Sequence, residues 1–292
     1  MTDQAKRILV TGAAGFAGGI VARVLRRAGF DVTGTIHRQE ADDDFRTVRC
    51  DLSEPWGIEG DFDAIVHTAG VLPYRQPSML DYKRSNIDAM QQLVAFAKTH
   101  GVRRVIYFST IGIYGDFRGN PTVDEDTPRI NPDAYGMTKY IAEELLRESG
   151  LDTMSLRMPG LIGPGARPVW FTNTVERFRR GEPVTIYAPD YETKNFVWAE
   201  DVADFVAKLL TQKRWDIDRL VLAARTAVTI RALVTEMKHL MESASKIRVA
   251  ESNRPPFCLN PARALTRGWE PRTPNGIVQM YLSGVQSEVS AT

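Results

Sequence analysis

The chain has 292 residues, enough for one large α/β domain or for one with a smaller lobe attached. Its 37 Lys and Arg balance 36 Asp and Glu, so no basic field draws it to nucleic acid or to an acidic membrane surface. The longest apolar runs fall well short of the ~20 residues of a membrane span, the two cysteines (Cys50 and Cys258) lie far apart, and the four histidines form no metal-ligand spacing, so neither a disulfide framework nor a metal site is expected.

The first pattern is Arg7-Ile-Leu-Val-Thr11-Gly12-Ala-Ala14-Gly15-Phe16-Ala-Gly18. Ile8–Val10 reads as a buried strand, the glycines at 12, 15 and 18 as a loop, and Ile20, Val21, Val24, Leu25 and Ala28 as the apolar face of a helix. Strand, glycine turn and helix in this order form a dinucleotide fingerprint. Gly12 would permit the tight turn, Gly15 the approach of backbone to a pyrophosphate, and Gly18 close packing of helix on strand. Ala14 and Phe16 line the same loop, and the helix start offers unpaired N–H groups and the positive dipole end to phosphate. The three glycines, with Arg23, Arg26 and Arg27 on the helix, argue against a secretory signal, and a cytoplasmic protein is expected.

Strand and helix signals then alternate, as in a parallel sheet with crossover helices. Asp31–Ile36, Thr47–Cys50 and Ala64–His67 read as strands two to four, the last followed by Thr68-Ala69-Gly70. A helix is expected over Tyr82–His100 with Ile87, Met90, Val94 and Ala97 on one face, then strand five at Val105–Phe108. Asp133–Arg147 reads as a helix with Ile141, Leu145 and Leu146 apolar and Gly150 beyond its end, and Thr153–Leu156 as strand six. From Met158 the chain turns irregular through Pro159, Gly160, Gly163, Pro164, Gly165 and Pro168. A helix near Trp170–Arg180, strands at Val184–Tyr187 and Phe196–Trp198, and a helix over Glu200–Leu210 follow. The expected organisation is a doubly wound α/β domain over 1–158 and a smaller lobe, partly interwoven with it, over 159–292.

Tyr135 and Lys139 stand four residues apart on a predicted helix and share a face. An adjacent ammonium favours phenolate, which is expected to lower the Tyr135 pKa and ready it to exchange a proton with a carbonyl or alcohol oxygen. Thr110 ends strand five, where open parallel sheets place their ligands, and offers a hydroxyl beside that oxygen.

Together these motifs resemble the extended short-chain dehydrogenase/reductases, the NAD-dependent epimerase/dehydratase group that modifies sugar nucleotides. The resemblance covers the chain from near residue 8 to about 271. It is carried by Thr11-Gly12-x-x-Gly15-x-x-Gly18, Asp51-Leu52, His67-Thr-Ala69-Gly70, Phe108-Ser-Thr110-Ile-Gly-Ile-Tyr-Gly115, Tyr135–Lys139, Gly163-Pro-Gly165, Phe196–Ala203 and Gly268-Trp-Glu-Pro271. It implies a Rossmann-type doubly wound parallel sheet with a C-terminal substrate-binding lobe. It also implies Tyr135 as acid/base, Lys139 as the residue that tunes Tyr135 and holds the nicotinamide ribose, and Thr110 rather than Ser109 as the orienting hydroxyl. Asp51 and Leu52 would contact the adenine, Ala69 and Gly70 would line the cofactor, and Asn86 would brace the site. A homodimer packed through the Tyr82–His100 and Asp133–Arg147 helices is a further implication.

NAD-preferring folds usually carry an acid at the end of strand two, whereas this chain reads Gly34-Thr-Ile-His37-Arg38 with no acid until Glu40. The Arg38 fork, with His37 beside it, suits a 2′-phosphate, which points to NADP, with NAD as the alternative. Family 4,6-dehydratases carry Asp-Glu after the orienting hydroxyl, and fucose-synthase-type epimerising reductases a Cys two positions on. Here Ile111 and Gly112 stand in those places. What remains is an NADP(H)-dependent ketoreductase acting on an activated sugar, a 4-epimerase with resident NAD, or a reductase of a non-sugar ketone or aldehyde. A non-catalytic cofactor sensor would be expected to have lost the Tyr/Lys pair. Leu72, Tyr74, Arg75, Asn173, Arg177 and Lys194 are the candidate substrate contacts. Where related enzymes have an Asn and an Arg for a nucleotide diphosphate, this chain has Gly160 and Thr193-Lys194-Asn195.

Overall fold

A computed structural model of the protein describes residues 6–41, 45–117, 121–251 and 256–290. The apolar run at the start forms strand β1 (Arg7–Thr11), and the glycine turn leads into helix α1 (Phe16–Arg27), whose Ile20, Val21, Val24 and Leu25 are buried. Strands β2 (Asp31–Ile36), β3 (Arg46–Arg49), β4 (Ala64–His67) and β5 (Arg104–Thr110) follow within a residue or two of their expected bounds. With strands Asp152–Met158 and Arg219–Val221 they complete a seven-stranded sheet. From one edge its order is Arg219–Val221, Asp152–Met158, β5, β4, β1, β2, β3, and the pairings from β5 through β3 are all parallel. The strand order reverses between β1 and β4, so the loops after these two strands flank the crevice where such sheets take ligands.

The helix expected over Tyr82–His100 is not continuous. A short helix α2 (Met79–Tyr82), capped by reciprocal Ser78–Asp81 hydrogen bonds, runs into a wide π-helical turn over Lys83–Asp88 before helix α3 (Ala89–Thr99). The extra residue in that turn rotates Asn86 inward, to 2% exposure, while Lys83 and Asp88 pair on the outside at 2.7 Å. Helix α4 (Ala134–Arg147) begins at Asp133, whose side chain accepts from the Gly136 amide at 2.8 Å. It buries Thr138, Lys139, Ala142, Glu143 and Leu146, whereas Ile141 and Leu145 of the apolar pattern are only half-buried.

The chain divides into two compact units, one of Met1–Asp116, Arg129–Arg157 and Val202–Leu220, the other of Phe117–Pro128, Met158–Asp201 and Val221–Thr292. The first has a core between sheet and helices built on Leu9, Ile65, Met90, Leu93, Phe96 and Val105. In the second, strands Gly160–Ile162 and Phe196–Trp198 pair in parallel, as do Val184–Tyr187 and Ile247–Ala250. Helices Trp170–Arg179, Ile230–Leu240 and Pro274–Ser290 cover a core that includes Phe171, Phe178, Trp198 and Leu233. No helix among the described residues is long and apolar enough to cross a membrane.

Candidate active site

The glycine loop is closely built. Gly12 has φ +73°, and a Cβ on it would lie 3.0 Å from the Ala69 Cα. A Cβ on Gly18 would lie 2.2 Å from the Gly12 carbonyl oxygen and 2.7 Å from Thr68 Oγ1, so α1 starts hard against the loops after β1 and β4. The Gly12 and Ala13 amides donate to Thr35 Oγ1 (3.1 Å) and the Thr35 carbonyl (2.9 Å), and Thr68 Oγ1 donates to the Thr11 carbonyl (2.7 Å). Ala14 and Phe16 are half-buried beside Gly15, and helix geometry leaves the first amides of α1 without intrahelical partners.

At the ends of β2 and β3, His37 and Arg38 are exposed. Arg49, the register partner of Ile36, donates to the His37 carbonyl and pairs with Glu40. The first acid beyond β2 is thus neutralised by an arginine. Asp51 accepts from the Ser53 hydroxyl (2.7 Å) and amide (3.0 Å), which hold its carboxyl below the usual range. His37 and Arg84 each stand 3.9 Å from its other oxygen, and Leu52 packs against the core of the first unit. Arg49 and Arg84 escaped the sequence reading. Placing Arg49 required the β2–β3 register, and placing Arg84 required the π-helical turn.

The hydroxyls that end β5 go separate ways, as alternation along a strand requires. Ser109 Oγ donates to Glu143 at 2.5 Å, and Glu143 also binds Arg157, with Nη2 at 2.7 Å. Arg157 in turn donates to the Tyr114 hydroxyl at 2.9 Å, all of it buried. Thr110 Oγ1 accepts from the Gly112 amide at 3.1 Å, and its hydroxyl favours ionisation of the nearby Tyr135 phenol. The approach of Tyr135 to Thr110 depends on glycine, because a Cβ on Gly136 would lie 2.2 Å from the Gly112 carbonyl oxygen. The periodicity of α4 gave no sign of this contact.

Burial pushes the Tyr135 phenol well above its ordinary range, with Tyr82 and Asp133 adding to the rise and the Thr110 hydroxyl opposing it. This corrects the expectation that Lys139 lowers it. Burial also drives Lys139 down to about 7, against the pull of Glu143, so near neutrality the lysine is only partly charged. Its Nζ lies 4.2 Å from the centre of the Tyr107 ring.

Asn86 Nδ2 donates to Thr138 Oγ1 at 3.0 Å, and that hydroxyl donates to the Tyr135 carbonyl at 3.0 Å. Asn86 Oδ1 is buried with no partner among the described residues. It borders Gly70, where a Cβ would lie 3.0 Å from Oδ1 and 3.8 Å from Lys139 Nζ. A glycine cradle at a helix start and an orphaned acceptor beside Lys139 fit a nicotinamide dinucleotide. Gly12, Ala14, Gly15, Phe16 and Gly18 would hold its pyrophosphate, and Ala69, Gly70, Asn86 and Lys139 its nicotinamide end.

The substrate candidates fall into two sets. Leu72, Tyr74 and Arg75 are exposed in the first unit, where Arg75 Nε donates to the Tyr74 hydroxyl at 3.2 Å. Asn173, Arg177 and Lys194 belong to the second. Asn173 is exposed, Arg177 donates to the Pro183 carbonyl at 3.0 Å, and Lys194 is half-buried, its carbonyl accepting from the Ala224 amide. No cluster of three metal-ligating side chains exists among the described residues.

A family model described as "NAD dependent epimerase/dehydratase family" matches residues 8–221. The UDP-glucose 4-epimerase of Azospirillum brasilense is 29% identical over 70% of this chain and 69% of its own. The solved UDP-N-acetylglucosamine 4-epimerase from Methanobrevibacter ruminantium M1 superposes with a TM-score of 0.81 at 18% identity, over 98% of this chain and 99% of its own. MoeE5, solved in complex with UDP-glucose and NAD, gives 0.80 at 24% identity over 97% and 99%.

Proposed function

The chain belongs to the NAD dependent epimerase/dehydratase family, an extended short-chain dehydrogenase/reductase, and from that premise we propose that it is an NAD-dependent 4-epimerase of a nucleotide-linked sugar. The observation that carries this reading is the pairing of Thr110 with Tyr135 at the end of β5, with Ile111 and Gly112 rather than carboxylates following Thr110. One hydroxyl carbon can be oxidised and reduced there, and no second acid–base pair follows Thr110 to drive elimination. The relatives named above support a nucleotide sugar as substrate. A bound dinucleotide would supply a hydride acceptor and donor at nicotinamide C4. Tyr135 would act as the phenolate, which Lys139 and the positive nicotinamide ring would favour against burial. It would take the hydroxyl proton as the carbonyl forms and return it to the same oxygen as the carbonyl is reduced from its other face. Thr110 would hydrogen-bond that oxygen where charge develops. Thr110, Tyr135 and Lys139 are the proposed catalytic set.

The end of β2 favours a second reading, an NADPH-consuming reductase of a keto sugar or another ketone. Glu40 is paired with Arg49 rather than presented to a ribose, and His37 and Arg38 stand exposed. The dinucleotide released on denaturing the purified protein separates the two. Firmly held NAD, with interconversion of UDP-linked hexoses and no net change in reduced cofactor, supports the epimerase. An empty site saturated by NADPH, consumed with substrate, supports the reductase. Tyr135→Phe is expected to abolish turnover in either case while leaving dinucleotide affinity near wild type, and surviving turnover overturns the acid–base assignment. The family resemblance also implies a homodimer packed through the Tyr82–His100 and Asp133–Arg147 segments, and Met137 on the second is exposed. A monomeric mass by light scattering would exclude it.

A further inference from the structure

Lys139 is 4% exposed, yet among the described residues no carboxylate lies within salt-bridge distance of its ammonium. The one acid near it, Glu143 on the next turn of α4, is already taken up by the Ser109 hydroxyl at 2.5 Å and by the Arg157 guanidinium at 2.7 Å. The group that Lys139 does meet is an aromatic face, with Nζ 4.2 Å from the centre of the Tyr107 ring. That ring is rigidly held. Tyr107 is 1% exposed on β5, its register partner on β4 is His67, and the two rings stack at 5.6 Å. His67 is fixed in turn by Thr11 Oγ1 at 2.8 Å from Nδ1. The Tyr107 hydroxyl has no partner among the described residues, so the ring and not the polar tip accounts for its place.

The geometry points to Tyr107 as a positioning residue: its ring face seats the Lys139 ammonium and favours its protonated form where no carboxylate touches it, helping to set the pH range over which Lys139 assists Tyr135. This rests on the proposed pairing of Tyr135 with Lys139. The titratable and charged groups around Lys139 are His67 from β4, Tyr107 from β5, and Tyr135 and Glu143 from α4, with Arg157 acting through Glu143. His67 is held down to about 3 by burial and so carries no charge near neutrality. Glu143 favours the ammonium from a distance, with its oxygens engaged by Arg157 and Ser109. The Tyr107 ring face is the attraction in direct contact with Nζ.

Cofactor-free protein labelled with 13C at lysine Cε reads the charge directly, with the Lys139 signal identified by its loss in Lys139→Met. In Tyr107→Leu the Lys139 midpoint is expected to fall by about 1.5 pH units, the size of a desolvated cation–π contact. In Tyr107→Phe, which keeps the ring, it should stay at the wild-type value. Mono-, di- and pentafluorinated phenylalanine at position 107 should lower it stepwise, and these near-isosteric rings serve even if the leucine variant does not fold. A midpoint indifferent to fluorination overturns the inference while leaving the catalytic reading intact. Turnover that survives Lys139→Met overturns the catalytic reading first, whatever the titration shows.

Discussion

Ser109 and Thr110 carry the same functional group one residue apart, and their partners assign them different work. Ser109 is bonded into the buried Glu143–Arg157–Tyr114 network, whereas Thr110 faces Tyr135. Thr110→Val is therefore expected to lower kcat by roughly 10²–10³, the usual effect of removing one donor to a developing oxyanion, and to cost about 1 kcal/mol of stability because the Gly112 amide loses its acceptor. Ser109→Ala should spare kcat and act on stability alone. Glu143 keeps Arg157 but loses a hydrogen bond, so unfolding free energy should fall by about 1–2 kcal/mol while kcat stays within a few-fold. Kinetics and urea melts on the same two preparations decide the matter, and equal kinetic losses would mean that the two hydroxyls act together. Tyr107→Phe removes a buried hydroxyl with no partner among the described residues. It should leave the protein at least as stable as wild type, by up to about 1 kcal/mol.

Individual elements show where local pattern carries the fold and where it stops. Strands β1, β4 and β5 were legible because buried parallel strands are short apolar runs bounded by glycine or polar residues. The crevice was legible from the glycines after β1, since Gly12 combines a φ of +73° with a backbone contact that a Cβ would crowd. Helix α4 misled in part. Its apolar residues Ile141 and Leu145 are half-buried, while Thr138, Lys139 and Glu143 are fully inside, because the face that meets the sheet is the one bearing the proposed chemistry. A hydrophobic pattern cannot announce a buried charged face. The π-helical turn over Lys83–Asp88 was hidden for a related reason, since one extra residue in a turn leaves no compositional mark and shows only as an inward Asn86. The Gly112–Gly136 contact is the element-scale device most open to test. A methyl at 136 meets a backbone carbonyl 2.2 Å away, so α4 must shift from the end of β5. Gly136→Ala should lower stability by about 1–3 kcal/mol and separate Tyr135 from Thr110, with turnover falling further than the melting temperature alone explains. Gly150→Ala, at the open end of α4 with nothing within 4 Å, is the control: its strain at φ +77° should lower stability and leave turnover per folded molecule unchanged.

The whole molecule holds its proposed site at a cost in stability, and pH exposes that cost. His67 is depressed from 6.5 to about 3 by burial, so between those values the unfolded chain binds a proton that the folded one refuses. Stability should therefore rise with pH across that window, at up to about 1.4 kcal/mol per pH unit. Lys139 is depressed from 10.5 to about 7, again chiefly by burial, and the same sign holds: its destabilising contribution is full below 7 and fades as pH climbs towards 10.5. Tyr107 and Tyr135 are raised, so above 10 the unfolded chain ionises first and stability falls. Urea midpoints measured from pH 4 to 11 should thus climb, level near neutrality, climb again and then drop. Lys139→Met isolates the central term, since it keeps the length and volume of the side chain and removes the buried charge. At pH 6 it should be more stable than wild type and inactive, and its midpoint should no longer rise between pH 7 and 10. That is the pattern of a group held in place for chemistry against the preference of the fold. A Lys139→Met protein less stable than wild type at pH 6 would mean that the ammonium braces the sheet, and Lys139 would then belong to the architecture rather than to the reaction.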